Sequence, residues 1–234
     1  MTWHRATKRI PLLAALALVS FTSDVYPASL FSAGAWGNPQ APVANGASKA
    51  PASLQTRRIE LGSAKQGAPA DSGLCEREIQ AAAAKFSIPE GILYSVGLTE
   101  TGRKGSLSPW AMNVEGKAYF PASMPDAMAM FDTAKRQGAK LIDLGCMQIN
   151  HYFHGENFAS PQQMFDPKSN VEYAAKFLSN LHERHETWTM AVARYHAGPN
   201  NNPAQKQYVC RVISNLVATG YGQWTPTASR FCQA

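Results

Sequence analysis

From residue 74 to residue 218, the apolar positions of the chain recur every three or four residues, the spacing of amphipathic α-helices. In the first segment, Cys75, Ile79, Ala82 and Phe86 form one apolar stripe. The pattern predicts a helix from residue 74, helices over 89–101, 124–137 and 167–185, one that begins after Thr187, and a last one over 203–218.

Residues typical of helix ends stand at the borders of these segments. Ser123, Asp166 and Thr187 are placed as N-caps, where a side-chain oxygen accepts a hydrogen bond from a free backbone N–H. Gly102 and Gly220 follow the second and the last helix as stop signals. These signals fix the borders better than the apolar spacing alone.

Two short pieces are typical of extended chain instead. One is WAMNVEGKAYF at residues 110–120, with a turn at Glu115-Gly116, and the other is LID at residues 141–143. The fold class predicted is therefore mainly α, of the α+β kind: a helical domain with a small β-hairpin or sheet on one side.

The N-terminal third differs in composition from this domain. Three basic residues precede the apolar run IPLLAALALVSF, which predicts a secretory signal peptide over residues 1–35, with cleavage after AGA at 33–35 or near Ala28. Residues 36–72 are rich in Ala, Pro, Gly and Ser and predict a disordered tether. The helical domain then spans residues 73–220, and residues 221–234 form a C-terminal tail.

Charge and composition narrow the function classes. The formal net charge is +6, or +4 without residues 1–35. The sequence contains no stripe of basic residues interleaved with aromatic ones, so nucleic-acid binding is not predicted. The signal peptide predicts a periplasmic location; no lipid-attachment cysteine follows its apolar run, and no later stretch could span a bilayer, so no stable membrane anchor is expected. The sequence contains no phosphate-binding loop and no dinucleotide-binding fingerprint, so no cofactor is predicted.

Four cysteines in an exported chain indicate disulfides. Four cysteines allow three complete pairings, and the sequence leaves all three open. Cys75 and Cys210 lie on two distant predicted helices, so a Cys75–Cys210 bridge is our hypothesis, with Cys146 as a small buried apolar residue.

Glu100 is the candidate catalytic residue. It follows Leu93 by seven positions and Val96 by four, which places it on the apolar stripe of its helix. It also lies in the last turn, where the helix dipole is negative. Burial and dipole both disfavour the ionised carboxylate and raise its pKa, as a general acid requires. The competing interpretation is a carboxylate that reaches into solvent at a frayed helix end.

Three motifs then follow in order: ETG at residues 100–102, DLGCMQIN at 143–150 and ARYHAGPN at 193–200. Together they resemble the lytic transglycosylases with the soluble-lytic-transglycosylase (SLT) domain, relatives of goose-type lysozyme, over residues 75–218. The resemblance implies a lysozyme-like helical domain that binds peptidoglycan glycan strands.

The resemblance also implies residue roles. Glu100 would be the sole catalytic acid and base, Tyr195 would reach it and hold it, and Met147 and Gln148 would line the sugar groove. His196 stands where the family pattern has Asn, so its substrate contact is open. Two further departures are Thr101 for Ser and Cys146 for Leu.

About 40 residues separate Glu100 from Gly145, more than in the simplest members of the family. This insertion resembles the subgroup that serves flagella and secretion systems, which would make a flagellar rod or scaffold protein, or a secretion-system protein, a partner. In that subgroup Asn113 would face the cleft.

A second catalytic carboxylate, which most glycosidases need, is not among the catalytic roles that the resemblance implies. Asp143 is placed to cap the turn at Gly145, and Asp166 reads as a helix cap. The two His pairs at 151/154 and 182/185 supply too few converging ligands for zinc, so no metal site is predicted. The predicted function is a murein lytic transglycosylase; a hydrolytic muramidase and a catalytically silent wall-binding assembly factor are the alternatives.

Overall fold

The computed structural model describes residues 73–103, 105–198 and 200–233. The predicted signal peptide and tether therefore lie outside the described residues. Within the described ranges the chain forms the helices α1 (Leu74–Lys85), α2 (Glu90–Thr101), α3 (Met124–Arg136), α4 (His151–His154), α5 (Pro161–Phe165), α6 (Pro167–His185), α7 (Trp188–Ala197), α8 (Asn202–Ala218) and α9 (Pro226–Gln233), and the strands β1 (Met112–Val114), β2 (Lys117–Tyr119), β3 (Ile142–Leu144) and β4 (Ile149–Asn150).

Five helices, α1, α2, α6, α7 and α8, pack into one bundle. The chief helix pairs are α1 with α2 and α6, α6 with α7, α7 with α8, and α8 with α2. Ile92, Leu93 and Val96 of α2 are almost fully buried, and so is most of the inward face of α8. Because α2 lies among apolar side chains over most of its length, it offers a rigid base for the acidic residue at its end.

The four strands form one antiparallel sheet in the order β2-β1-β3-β4. The hairpin turns at Glu115 and Gly116, both with positive φ, as a two-residue turn of this kind requires. The register sets Asn113 opposite Asp143, and Asp143 opposite Asn150. Three polar side chains thus form one row across the sheet.

The predicted helices are confirmed, and so is the mainly α fold with a small sheet. The oxygens of Ser123, Asp166 and Thr187 accept bonds from the backbone N–H groups of Asp126, Ser169 and Met190, as capping requires. The sequence patterns missed β4, α4 and α9. The first two are only two and four residues long, too short for a period to show, and α9 lies in the predicted tail.

The predicted Cys75–Cys210 disulfide is wrong. The structure joins Cys75 to Cys146 and Cys210 to Cys232. The reason is packing: α1 and α8 both pack chiefly on other helices, α1 on α6 and α2, and α8 on α2 and α7. Cys146 is indeed fully buried, but it is paired, and the second bridge attaches α9 to α8.

Candidate active site

An open cleft of about 860 Å³ lies between the sheet and the helices α2, α6 and α7. It contains Glu100 and four of the other residues singled out from the sequence, since Asn113, Gln148, Tyr195 and His196 also line it. The remaining lining residues are Asp143, Ile149, Asn150, Phe153, His154, Phe177, Arg194, Ala197, Gly198 and Asn201.

The end of α2 holds Glu100 at this cleft. The hydroxyl of Thr101 is buried and donates to the carbonyl of Cys146 at 2.9 Å, which ties the helix end to the loop before β4. A side chain at Gly102 would collide with the carbonyl oxygen of Leu98. The local sequence Glu-Thr-Gly thus combines the acid, an anchor and a residue without a Cβ.

Tyr208 on α8, not Tyr195, holds the carboxyl group. The hydroxyl of Tyr208 is fully buried and donates to Oε1 of Glu100 at 2.6 Å. Tyr195 donates instead to the backbone carbonyl of Met147 at 3.0 Å. The predicted contact between Tyr195 and Glu100 is therefore wrong. The hydroxyl of Tyr195 instead holds the loop beside the cleft.

The ring of Tyr208 is itself held in place. His196 stacks on it with ring centroids 4.3 Å apart and an angle of 3° between the planes. The guanidinium of Arg211 lies 5.8 Å from the same ring centroid. His196, the departure from the family pattern, thus supports the residue that binds the acid.

The environment of Glu100 suits a proton donor. Desolvation raises the pKa of Glu100 to about 7, and the negative charge of Asp143 acts in the same direction. The hydrogen bond from Tyr208 and the charge of Arg211 oppose this rise in pKa. Near neutral pH the carboxyl group therefore exists in both protonation states, as a group that first donates and then accepts a proton must.

Asp143 is a second carboxylate in the cleft; it is the first residue of the second motif, but the resemblance implied no catalytic role for it. Its Oδ1 accepts a hydrogen bond from Nδ2 of Asn150 at 2.7 Å, whereas the N–H of Gly145 donates to the carbonyl of Ala111, so the predicted role of Asp143 as the cap of the turn at Gly145 is wrong. Burial raises the pKa of Asp143, and the bond from Asn150 lowers it. Asn113 lies opposite it in the sheet.

Met147 and Gln148 differ in what they offer a ligand. The Met147 side chain is fully buried, and its sulfur lies close to Gly97 of α2, so the prediction that it lines the groove is wrong. Gln148 lines the cleft, but its Nε2 donates to the carbonyls of Ala111 and Gly145 at 3.1 and 3.0 Å. Those bonds hold Gln148 in its left-handed backbone conformation.

The sequence patterns missed Tyr208, Phe153 and Arg194. A signal existed for Tyr208: with Gln205, Val212 and Leu216, it lies on the buried stripe of α8. No such spacing exists for Phe153 on its four-residue helix. Arg194 lines the cleft, while its Nε and Nη1 are buried and have no hydrogen-bond partner in the described part of the chain.

Over the residues that the structure describes, no three His, Cys, Asp or Glu side chains are grouped so that they could hold a metal ion. In those same residues, no helix has the length and apolar character needed to cross a bilayer.

The motifs, the helical fold and the acid at the end of α2 agree with a comparison with known families. The family model described as "Transglycosylase SLT domain" matches residues 77–215, more than half of the chain. No curated protein and no solved structure shows significant similarity to the chain. On the family match, the chain belongs to the SLT transglycosylases, the lytic transglycosylases that bind and cleave the glycan strands of peptidoglycan.

Proposed function

We propose that Glu100 is both the acid and the base of the lytic transglycosylase reaction, at the β-1,4 bond between N-acetylmuramic acid and N-acetylglucosamine. The observation that carries the proposal is the carboxyl group at the cleft, bonded to the buried Tyr208 hydroxyl, with its pKa raised to about 7. A carboxyl group with that pKa is protonated in a large fraction of molecules at neutral pH.

In the first half of the reaction, protonated Glu100 gives its proton to the glycosidic oxygen, and the bond between that oxygen and C1 of the muramic acid breaks. The acetamide oxygen of the same sugar stabilises the positive charge on C1, as in substrate-assisted glycosidases. Glu100 is now a carboxylate, and the hydroxyl of Tyr208 stabilises that form by its short hydrogen bond.

In the second half, the Glu100 carboxylate takes the proton from the 6-hydroxyl of the muramic acid. The freed oxygen bonds to C1, which closes a 1,6-anhydro ring without consuming water. Glu100 is then protonated again, as it was before the reaction. A single carboxyl group is therefore sufficient, and substrate alignment in the cleft supplies the rest of the rate enhancement.

Asp143 favours one alternative, the hydrolytic muramidase. A carboxylate that is ionised in the same cleft could stabilise the positive C1 while water attacks, as the second acid of a glycosidase does. One observation weighs against this alternative. The Oδ1 atom of Asp143 already accepts a hydrogen bond from Asn150 within the sheet, so this oxygen is not free to approach C1.

Mass spectrometry of digested murein tests the two reactions. We expect the purified protein to release muropeptides that end in 1,6-anhydromuramic acid, each lighter by one water than the product of a hydrolase. Products with only a reducing-end muramic acid would assign the protein as a muramidase. Glu100→Gln serves as the control and should release neither product while it remains folded.

We propose further that the protein acts in the periplasm and opens local gaps in the wall for a flagellum or a secretion apparatus. The support is the signal-like N-terminus, two disulfides, and the insertion of about 40 residues that carries β1, β2 and α3. Deletion of the gene should then reduce assembly of one such machine, and chromosomal Glu100→Gln should reproduce the defect. A defect that Glu100→Gln does not reproduce would favour the silent assembly factor.

A further inference from the structure

Two adjacent aromatic side chains, Tyr152 and Phe153 of α4, stand out from the surface beside the cleft. Each is 63% exposed, and among the large apolar side chains of the described residues these two are the most exposed. Their rings meet edge to face, with centroids 5.0 Å apart. An exposed apolar pair of this kind marks a contact surface more often than a chance position.

The helix that carries them is anchored from below. His151 packs edge to face on Phe131, with ring centroids 4.9 Å apart. His154 bonds through Nδ1 to the hydroxyl of Tyr173 at 2.9 Å. The first and last residues of α4 thus hold the helix against the domain. The two residues between them, Tyr152 and Phe153, are directed outward.

Asn150 connects the same helix to Asp143 of the cleft. Oδ1 of Asn150 accepts the backbone N–H groups of Tyr152 and Phe153 at 3.0 and 3.3 Å. The other end of the Asn150 amide donates to Asp143. Phe153 itself lines the cleft together with Glu100. Phe153 is therefore part of the wall of the catalytic cleft, and Tyr152 stands beside it.

We propose that the ring of Phe153, which Tyr152 supports edge to face, is the stacking platform for a sugar ring of the glycan strand, at a subsite beyond the two sugars that flank the cleaved bond. The inference rests on the proposed function. Each pyranose has a face of C–H groups that packs on an aromatic ring, and Phe153 lines the cleft that the glycan strand must enter, with Tyr152 next to it. The neutral, apolar platform matches the uncharged face of a sugar rather than a charged partner.

Binding can be separated from catalysis with the inactive Glu100→Gln protein. Its affinity for long peptide-free glycan strands is measured by fluorescence or sedimentation, with and without a second change, Phe153→Ala or Tyr152→Ala. We expect each change to weaken binding about three- to tenfold, and Phe153→Trp to retain most of the affinity, because a larger ring can still stack. Trp224→Ala, at an exposed aromatic residue outside the cleft, is the matched control and should not change the affinity.

Kinetics then locate the subsite. In the active protein, Phe153→Ala should raise KM for long strands several-fold more than KM for the shortest strand that is still a substrate, and the pH at the alkaline limb of kcat/KM should not shift. Equal losses on short and long strands, or unchanged affinity in the Glu100→Gln background, would overturn the platform. Unchanged strand binding together with a loss of wall opening in cells would assign the pair to a protein partner instead. A wild-type protein that binds strands through the pair but never cleaves them would refute the proposed function and leave the platform standing.

Discussion

At the residue scale, Glu100 is placed where a carboxyl group is costly to ionise. Its neighbours Leu93 and Val96 on the same stripe are buried, and its carboxyl group accepts a hydrogen bond from the hydroxyl of Tyr208. Keeping such a group lowers the free energy of unfolding at pH values above the pKa of Glu100. The requirements of catalysis and of stability therefore conflict at this position.

Glu100→Gln should reveal this conflict. The pKa of Glu100 is raised from an ordinary value near 4.5 to about 7, so between those pH values the folded state binds more protons than the unfolded state. Stability is therefore lost as pH rises through that window. The amide cannot ionise, so we expect the variant to gain on the order of 1–3 kcal/mol relative to the wild type at pH 8 and little at pH 4.

Urea unfolding of both proteins at the two pH values measures that difference. An equal difference at pH 4 and pH 8 would show that Glu100 is not desolvated in solution. Activity toward murein should be abolished at every pH.

Tyr208→Phe should move the pH profile. The hydroxyl of Tyr208 stabilises the charged form of Glu100, so its removal raises the pKa of the acid further. The alkaline limb of kcat/KM, which reports loss of the proton from Glu100, should shift to higher pH. The rate should fall about 10- to 100-fold, because the acid loses its alignment with the glycosidic oxygen.

Tyr195→Phe is the matched control for that experiment. Its hydroxyl bonds to the Met147 carbonyl, so its loss should cost about 1–2 kcal/mol of stability without a shift of the alkaline limb. If Tyr195→Phe shifted the limb and Tyr208→Phe did not, the assignment of the two tyrosines would be reversed.

At the element scale, the two disulfides stabilise different parts of the site. Cys75–Cys146 joins α1 to the loop whose Cys146 carbonyl accepts the hydroxyl of Thr101, next to Glu100. Cys210–Cys232 joins α9 to α8, two residues after Tyr208. The first bridge therefore lies close to Glu100 in the fold, and the second lies on the helix of its hydrogen-bond partner Tyr208.

We expect the first bridge to contribute more stability. It closes a loop of 71 residues against 22 for the second. The chain-entropy relation gives about 4 kcal/mol for the longer loop and about 3 kcal/mol for the shorter one. Replacing each pair with alanine and measuring denaturant unfolding tests the order; a larger loss from the Cys210–Cys232 pair would contradict it.

At the scale of the whole molecule, the residues at the cleft and the tyrosine behind Glu100 come from distant parts of the chain. Glu100 comes from α2, Asp143 from the sheet, Tyr195 from α7 and Tyr208 from α8. The described residues from 73 onward contain all of them. In the sequence, each of them follows the predicted signal peptide and tether.

A chain that begins at residue 73 should therefore cleave murein in vitro at the rate of the longer chain. In cells, by contrast, only a chain with residues 1–35 should reach the wall, because the predicted signal peptide directs export. Fusions to a reporter that is active only after export would measure this. Export of the chain that lacks residues 1–35 would contradict the signal peptide, and loss of activity in vitro would show that the tether takes part in catalysis.

The sequence by itself determined the helices, their caps and the place of Glu100. Ser123, Asp166 and Thr187 act through local bonds to a backbone three residues away, and the buried stripe of α2 follows from its 3.6-residue period. The three motifs also determined the family, because their order along the chain does not depend on the details of packing.

Only the tertiary structure decided which groups meet. Tyr195 and Tyr208 both lie on inward helical faces, and the positions of α7 and α8 against α2 select Tyr208 as the partner of Glu100. The same holds for the disulfides and for Asp143, which the register of β3 against β1 and β4 places in the cleft. Periodicity specifies the face on which a side chain lies, whereas distances across the fold depend on how whole elements pack.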